Sequence, residues 1–232
     1  MPFARRSQER ELLDAQVLDP DDLRANLREL AMLNRLPGGA GASFAAIRQL
    51  TGGANIVTVA DIGTGAGDMP RAFVRRAREA GSAWRVTAID NRPEIVAIAR
   101  KRLRREPAVT VIEGDACHLP LPDLSVDVAH ASLLIHHLDE AGAVTALREM
   151  SRVSRRGVVI NDLVRGLIPY LVAWTTTMAL ARNRYTRHDG PASARRAYTL
   201  AELDRLLADA GLTVAWRSRS WWRVATAAVR DT

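Results

Sequence analysis

Cysteine, lysine and aromatic residues are scarce in this chain. Cys117 is the one cysteine among 232 residues, which excludes an intrachain disulfide and a cysteine-rich zinc site. Lys101 is the single lysine among 33 basic residues. The formal net charge of +7 is therefore carried by arginine, and it reads as a composition bias before it reads as a nucleic-acid surface. Arginines gather at 71–78, 100–105 and 152–156, on the solvated faces or ends of expected helices. Aromatic residues make up 5% of the chain and do not interleave there at base-stacking spacing. No amino-terminal stretch joins a basic start to an uninterrupted apolar region, so neither a signal peptide nor a targeting segment is expected, and the expected location is cytoplasmic. No His-x-x-x-His pattern or carboxylate cluster has metal-ligand spacing, and no metal is expected. Repeats and low-complexity segments are also missing. The hydrophobic content of 47% suits a globular domain of this length.

The most informative segment is Val-Ala-Asp-Ile-Gly-Thr-Gly-Ala-Gly-Asp at 59–68. An apolar strand runs into an acidic residue and then into glycines at Gly63, Gly65 and Gly67, a turn bare enough for backbone to press against a ligand. A dinucleotide fingerprint places its third glycine at the sixth position, which here is Asp68. Asp61 and Asp68 would repel a pyrophosphate and suit a ligand carrying positive charge.

With Asp61, Gly63, Gly65 and Gly67 in these places, the chain resembles the class I S-adenosylmethionine-dependent methyltransferases. The next strands extend the resemblance. The run 84–90 ends in Asp90, placed to accept ribose hydroxyls, with Asn91 beside it able to cap the following helix. The run 108–113 leads to Asp115 and Ala116, which match the family's adenine loop by position. The resemblance thus implies S-adenosyl-L-methionine as cofactor, S-adenosyl-L-homocysteine as product, and contacts from Asp61, Gly63, Gly65, Gly67, Asp90, Asn91, Asp115 and Ala116. The Asn/Asp-Pro-Pro-Tyr tetrad typical of enzymes that methylate exocyclic amines of bases is missing after the fourth strand, at 132–138.

Helices alternate with strands from Ile56 to Asp162, which demands right-handed crossovers and a parallel sheet. Together with the family's closing hairpin, this gives an α/β, Rossmann-like fold: a seven-stranded, mostly parallel sheet with helices on both faces and a C-terminal antiparallel hairpin. Residues 1–53 are expected to form an amino-terminal helical cap, with helices at 19–36 and 43–50. Residues 54–232 form the methyltransferase domain, interrupted at 163–198 by a lid insertion. Within the insertion an apolar helix is expected at 167–181 and a polar loop at 182–198. Thr199-Leu-Ala-Glu202 reads as a capping box opening the last helix.

Methyl transfer from a sulfonium is an in-line displacement that depends on positioning. A weakly acidic hydroxyl also has to lose its proton, and histidine titrates in the useful range. His136 and His137, just past the fourth strand, are the first candidates, and His188, oriented by Asp189, is the next. His130, within the strand, reads as a satisfied core residue. Asp162 and Arg165 are expected to face the substrate, Arg165 as a partner for an anionic group. The expected function is methylation of a small molecule, an aromatic or apolar one, at an oxygen of a phenolic or polyketide-type metabolite. Carbon methylation of a quinol ring, an RNA or protein methyltransferase, and a non-catalytic cofactor binder are the alternatives. Nucleic acid is not favoured as a partner, no membrane span is expected, and the state is monomer or homodimer.

Overall fold

Alternating apolar strands and amphipathic helices generate the expected layered α/β architecture. The computed structural model describes residues 3–9, 11–14 and 19–231, apart from the side chain of Asp14. In chain order the elements are α1 (Pro20–Leu33), α2 (Ala40–Thr51), β1 (Ile56–Ile62), α3 (Asp68–Glu79), β2 (Ala83–Asp90), α4 (Pro93–Leu103), β3 (Val109–Glu113), β4 (Val126–Ser132), α5 (Glu140–Val153), β5 (Ser154–Leu163), α6 (Leu167–Leu180), α7 (Arg184–Arg196), α8 (Leu200–Asp209), β6 (Leu212–Arg219) and β7 (Arg223–Arg230). The sheet order is β3-β2-β1-β4-β5-β7-β6. β1 to β5 run parallel, and β7 lies antiparallel between β5 and β6.

Strand periodicity assigns the two cores. Val57 and Val59 of β1 point to one face with Ile47, Phe73 and Trp84, whereas Ala60 and Ile62 point to the other with Leu147, Met150 and Leu206. Each fully buried side chain of this size contributes roughly 1.5–3 kcal/mol by leaving water. Local signals set the ends. The Asp19 carboxylate accepts from the amides of Asp21 and Asp22 at the start of α1, and the Thr199–Glu202 capping box has both of its bonds.

The main departure from expectation lies in the insertion. The stretch from Arg182 to Tyr198, read as a loop, contains the 13-residue α7. Gly190 and Pro191 lie inside this helix, and both have reasons to be there. A Cβ at Gly190 would lie 2.4 Å from Thr177 Cγ2, so glycine permits the close approach of α6 and α7. Pro191 is buried at that packed helix, where tertiary contacts outweigh its poor propensity. Asn183 caps the helix by accepting from the Tyr185 amide.

β2 and β3 extend the sheet to one side of β1, and β4 and β5 extend it to the other. The carboxyl ends of β1 and β4 therefore flank a topological switch point, where an open α/β sheet forms its binding crevice. α1, α6 and α7 lie over that end, with α7 against both of the others.

Candidate active site

The three glycines after β1 do different work. All have positive φ, at 68°, 54° and 75° for Gly63, Gly65 and Gly67. A Cβ at Gly67 would sit 2.4 Å from Leu103 Cδ1, so this glycine allows α3 to start tight against α4. At Gly65 a Cβ would meet only Leu27 Cδ2, at 3.8 Å, and would otherwise project into open space. That space is a cavity of about 630 Å³, whose walls include Asp61, Gly63, Gly65, Asp68, Asp90 and Asn91 at one end and Glu11, His136, His137 and Asp189 at the other. Leu27, Leu30, Leu33, Leu133, Leu134 and Trp222 supply apolar wall between them.

At the glycine end the carboxylates are held by backbone and by one buried network. Asp90 accepts from the Gly65 amide at 3.0 Å and the Arg92 amide at 3.2 Å. Burial pushes its carboxyl above the usual range despite those two bonds. Asp61 accepts from Thr64 Oγ1 at 2.6 Å and pairs with His130 Nδ1 at 2.6 Å. His130 Nε2 meets Ser43 Oγ at 2.9 Å, so this strand histidine is satisfied on both nitrogens. The Asn161 amide donates to the same Ser43 oxygen, and Arg223 joins Asn161 Oδ1 at 3.0 Å to Asn34 Oδ1 at 2.6 Å. Asn34 in turn donates to Asp68 at 2.9 Å. Both carboxylates of the glycine motif thus terminate one chain of hydrogen bonds running behind the cavity. Arg223 is fully buried, and desolvation lowers it to about 10.

The other end is built around the short 3-10 turn Ile135–His137 that follows β4. Asp162, at the end of β5, receives the His136 amide at 3.1 Å and meets His136 Nδ1 at 2.6 Å. Glu11 arrives from the amino-terminal arm, with Oε1 3.5 Å from His136 Nε2 and Oε2 3.6 Å from His137 Nε2. Burial disfavours a charged His136 ring, but Asp162 and Glu11 outweigh it and push the ring up to about 10. Burial likewise opposes ionisation of Asp162, and the contact with His136 prevails, holding that carboxyl below its ordinary range. Arg196 Nη1 lies 3.8 Å from the same Glu11 oxygen. Glu11, His136 and His137 bring three possible metal donors within 4.8 Å of one another, but this guanidinium already provides the positive charge that a metal would bring. The arm is pinned on both sides, by Asp189 accepting the Leu12 and Leu13 amides at 2.8 and 3.0 Å and by Arg92 donating to the Leu13 carbonyl at 2.7 Å.

Residues 59–157 match the family described as a methyltransferase domain. The chain is 35% identical over 104 residues to the ubiquinone/menaquinone biosynthesis C-methyltransferase of Caulobacter vibrioides, a match spanning 43% of this chain and 40% of the relative. It is 39% identical over 88 residues to the malonyl-[acyl-carrier protein] O-methyltransferase of Serratia marcescens, spanning 38% and 32%. The match thus spans less than half the length of either relative. A methyltransferase structure from Aquifex aeolicus superposes with a TM-score of 0.62 at 23% identity, covering 91% of this chain and 98% of that one, which shows a shared fold. Residues 59–157 thus form a methyltransferase domain, on the same stretch that carries the resemblance to the class I S-adenosylmethionine-dependent methyltransferases. The cofactor that the resemblance implies is S-adenosyl-L-methionine.

The methyltransferase site fits that cofactor on its own terms. Gly65 leaves open the space that a Cβ would fill, and Asp61, Asp68 and Asp90 line the same end of the cavity, matching a ligand with a sulfonium and an ammonium. A carboxylate offers about four acceptor positions, so Asp90 retains capacity for ribose hydroxyls after its two backbone bonds.

Several expected residues lie elsewhere. Asp115 and Ala116 are not in the cavity wall; exposed Asp115 accepts from the Cys117 amide at 2.8 Å, closing a local turn. Gly67 serves helix packing. Asp162 is bonded to His136 and does not line the cavity. Arg165 does not line the cavity either: it is buried against Glu202 at 2.6 Å and the Ala197 carbonyl at 2.7 Å, consumed by a structural ion pair. His188 does meet Asp189, at 2.9 Å, but its side chain points away from the cavity lining, towards Glu9. Sequence reasoning missed Glu11, Asn34, Arg223 and the cavity-facing Asp189. A glutamate in an amino-terminal segment carries no local pattern, and Arg223 was one arginine among many.

Proposed function

We propose that the chain transfers the methyl group of S-adenosyl-L-methionine to a hydroxyl oxygen of an apolar, phenolic or polyketide-type small molecule. The observation that supports this reading best is the single continuous cavity, with carboxylates and bare backbone at one end and a histidine pair at the other. When bound, the cofactor supplies an electrophilic methyl group on a cationic sulfur. The Gly63–Gly65 turn, Asp61 and Asp90 hold it at the β1 and β2 ends. The leucine wall orients an apolar acceptor and excludes water, leaving its hydroxyl facing His136 and His137. His136, kept protonated between Asp162 and Glu11 with both ring nitrogens facing carboxylates, holds Glu11 in place beside His137. His137 is the proton acceptor, with Glu11 orienting its ring. Residues 1–53 act as a helical cap that completes this end, and we place the protein in the cytoplasm.

Charge supports a neutral hydroxyl over an anionic acceptor, because Glu11 and Asp189 face this end and Arg165 is already engaged. Carbon methylation of a quinol ring uses the same groups, and the Caulobacter relative is named for carbon transfer. The test is transfer of labelled methyl from S-adenosyl-L-methionine into a panel of phenols, quinols, fatty and polyketide acids, RNA and protein, with the product linkage read by NMR. Label on a phenolic oxygen is the expected result. Label on ring carbon selects the quinol reading, and label retained by macromolecules contradicts both.

A further inference from the structure

α6 has two apolar faces and only one of them is covered. Ala173 and Thr177 turn inward and line the cavity. Leu167, Ile168, Leu171 and Trp174 follow at helical spacing on the other side, and all are exposed. Among the described residues, five of the nine exposed large apolar side chains lie on this one helix. Trp221, 76% exposed, adds a sixth from the β6–β7 turn, whose neighbouring Trp222 packs in one cluster with Ala173. A patch this concentrated is an interaction surface and not ordinary surface scatter.

The flanking charge identifies the occupant. Residues 166–181 contain no charged side chain, and Arg182, Arg184 and Arg187 follow at once, all exposed. Asp22 pairs with Arg184 at 3.0 Å, and Arg187 caps the carboxyl end of α6 by donating to the Ala181 carbonyl at 2.9 Å while keeping its positive charge. No helix of the described residues is long and apolar enough to cross a membrane. A 14-residue helix reaches only about 21 Å. An exposed apolar face carrying leucine and tryptophan, beside arginines from Arg182 into the start of α7, joins apolar area to positive charge, the two contributions that hold a peripheral protein on an anionic lipid surface. We infer that the outer face of α6, with Trp221 at its side, docks on an anionic phospholipid surface. The inner face of the same helix then places the cavity wall within one helix diameter of the lipid.

The experiment is co-sedimentation of the whole chain with phosphatidylglycerol–phosphatidylcholine vesicles and with phosphatidylcholine vesicles alone, at low and high salt. Binding to the anionic vesicles is expected, weakened by salt and reduced at least about tenfold by the double variant Ile168→Glu/Trp174→Glu. The control is Ile56→Glu, an exposed apolar position at the amino end of β1, away from the cavity, which is expected to bind as the parent does. Thermal melts establish that both variants fold. No binding to either vesicle, or binding that the double variant leaves unchanged, overturns the proposal. So does a concentration-dependent dimer, seen by light scattering, that the double variant dissolves, because a second copy would then be what covers the helix. None of these readouts requires methyl transfer, so failure here and failure of the proposed reaction are separable.

Discussion

The two ends of the cavity are assembled in opposite ways. At the glycine end the cavity-facing groups Asp61, Gly63, Gly65, Asp90 and Asn91 come from one short stretch, β1, β2 and the turns that follow them, and distant residues such as Asn161 and Arg223 only back them. The histidine end is a long-range construction, in which Glu11, the 135–137 turn, Asp162 and Asp189 meet from four separate parts of the chain. Local assembly suits a cofactor shared across a fold. Long-range assembly leaves the acceptor end free to differ between relatives that attach methyl to different atoms.

If the two ends are functionally distinct, substitutions should separate binding from chemistry. The largest expected effect is His137→Ala, which should lower kcat on the acceptor found by label transfer by about 10²–10⁴ while leaving cofactor affinity unchanged. Equal losses in both would break the comparison. Next is Arg223→Met, which leaves Asn34 and Asn161 without their buried partner and should cost about 1–3 kcal/mol in urea unfolding. A cost below about 1 kcal/mol would show that the network does not organise the glycine end. Asp90→Ala follows, with cofactor affinity expected to fall by more than about tenfold, or about 1.4 kcal/mol, with little change in stability.

The smallest effect is the pH dependence of the histidine end. His136 sits well above its unfolded value, so its contribution to stability is complete below about 6.5 and is lost as pH rises through about 10. The thermal midpoint of the parent should therefore drop on the alkaline side more steeply than that of His136→Gln. Parallel curves would mean the ring is not held charged between Asp162 and Glu11.

The same division governs what the sequence made legible. Glycine spacing, strand ends and the Thr199 capping box are local signals, and the corresponding elements appear where the pattern put them. His130 was readable as a core residue because it lies mid-strand. The reading was weaker wherever position along the chain stood in for position in space. Asp115 follows β3 as expected, yet its carboxylate closes its own turn. Arg165 follows β5, yet it folds back onto Glu202. Arg182 to Tyr198 looked like a loop because helix packing at Gly190 is visible only once Thr177 stands against it.

The most direct test of the account is calorimetric binding of S-adenosyl-L-homocysteine to the parent, Asp90→Ala and His137→Ala proteins. Affinity lost in Asp90→Ala and retained in His137→Ala is the predicted result. Full affinity in Asp90→Ala, or a comparable loss in His137→Ala, would contradict the assignment of the two ends.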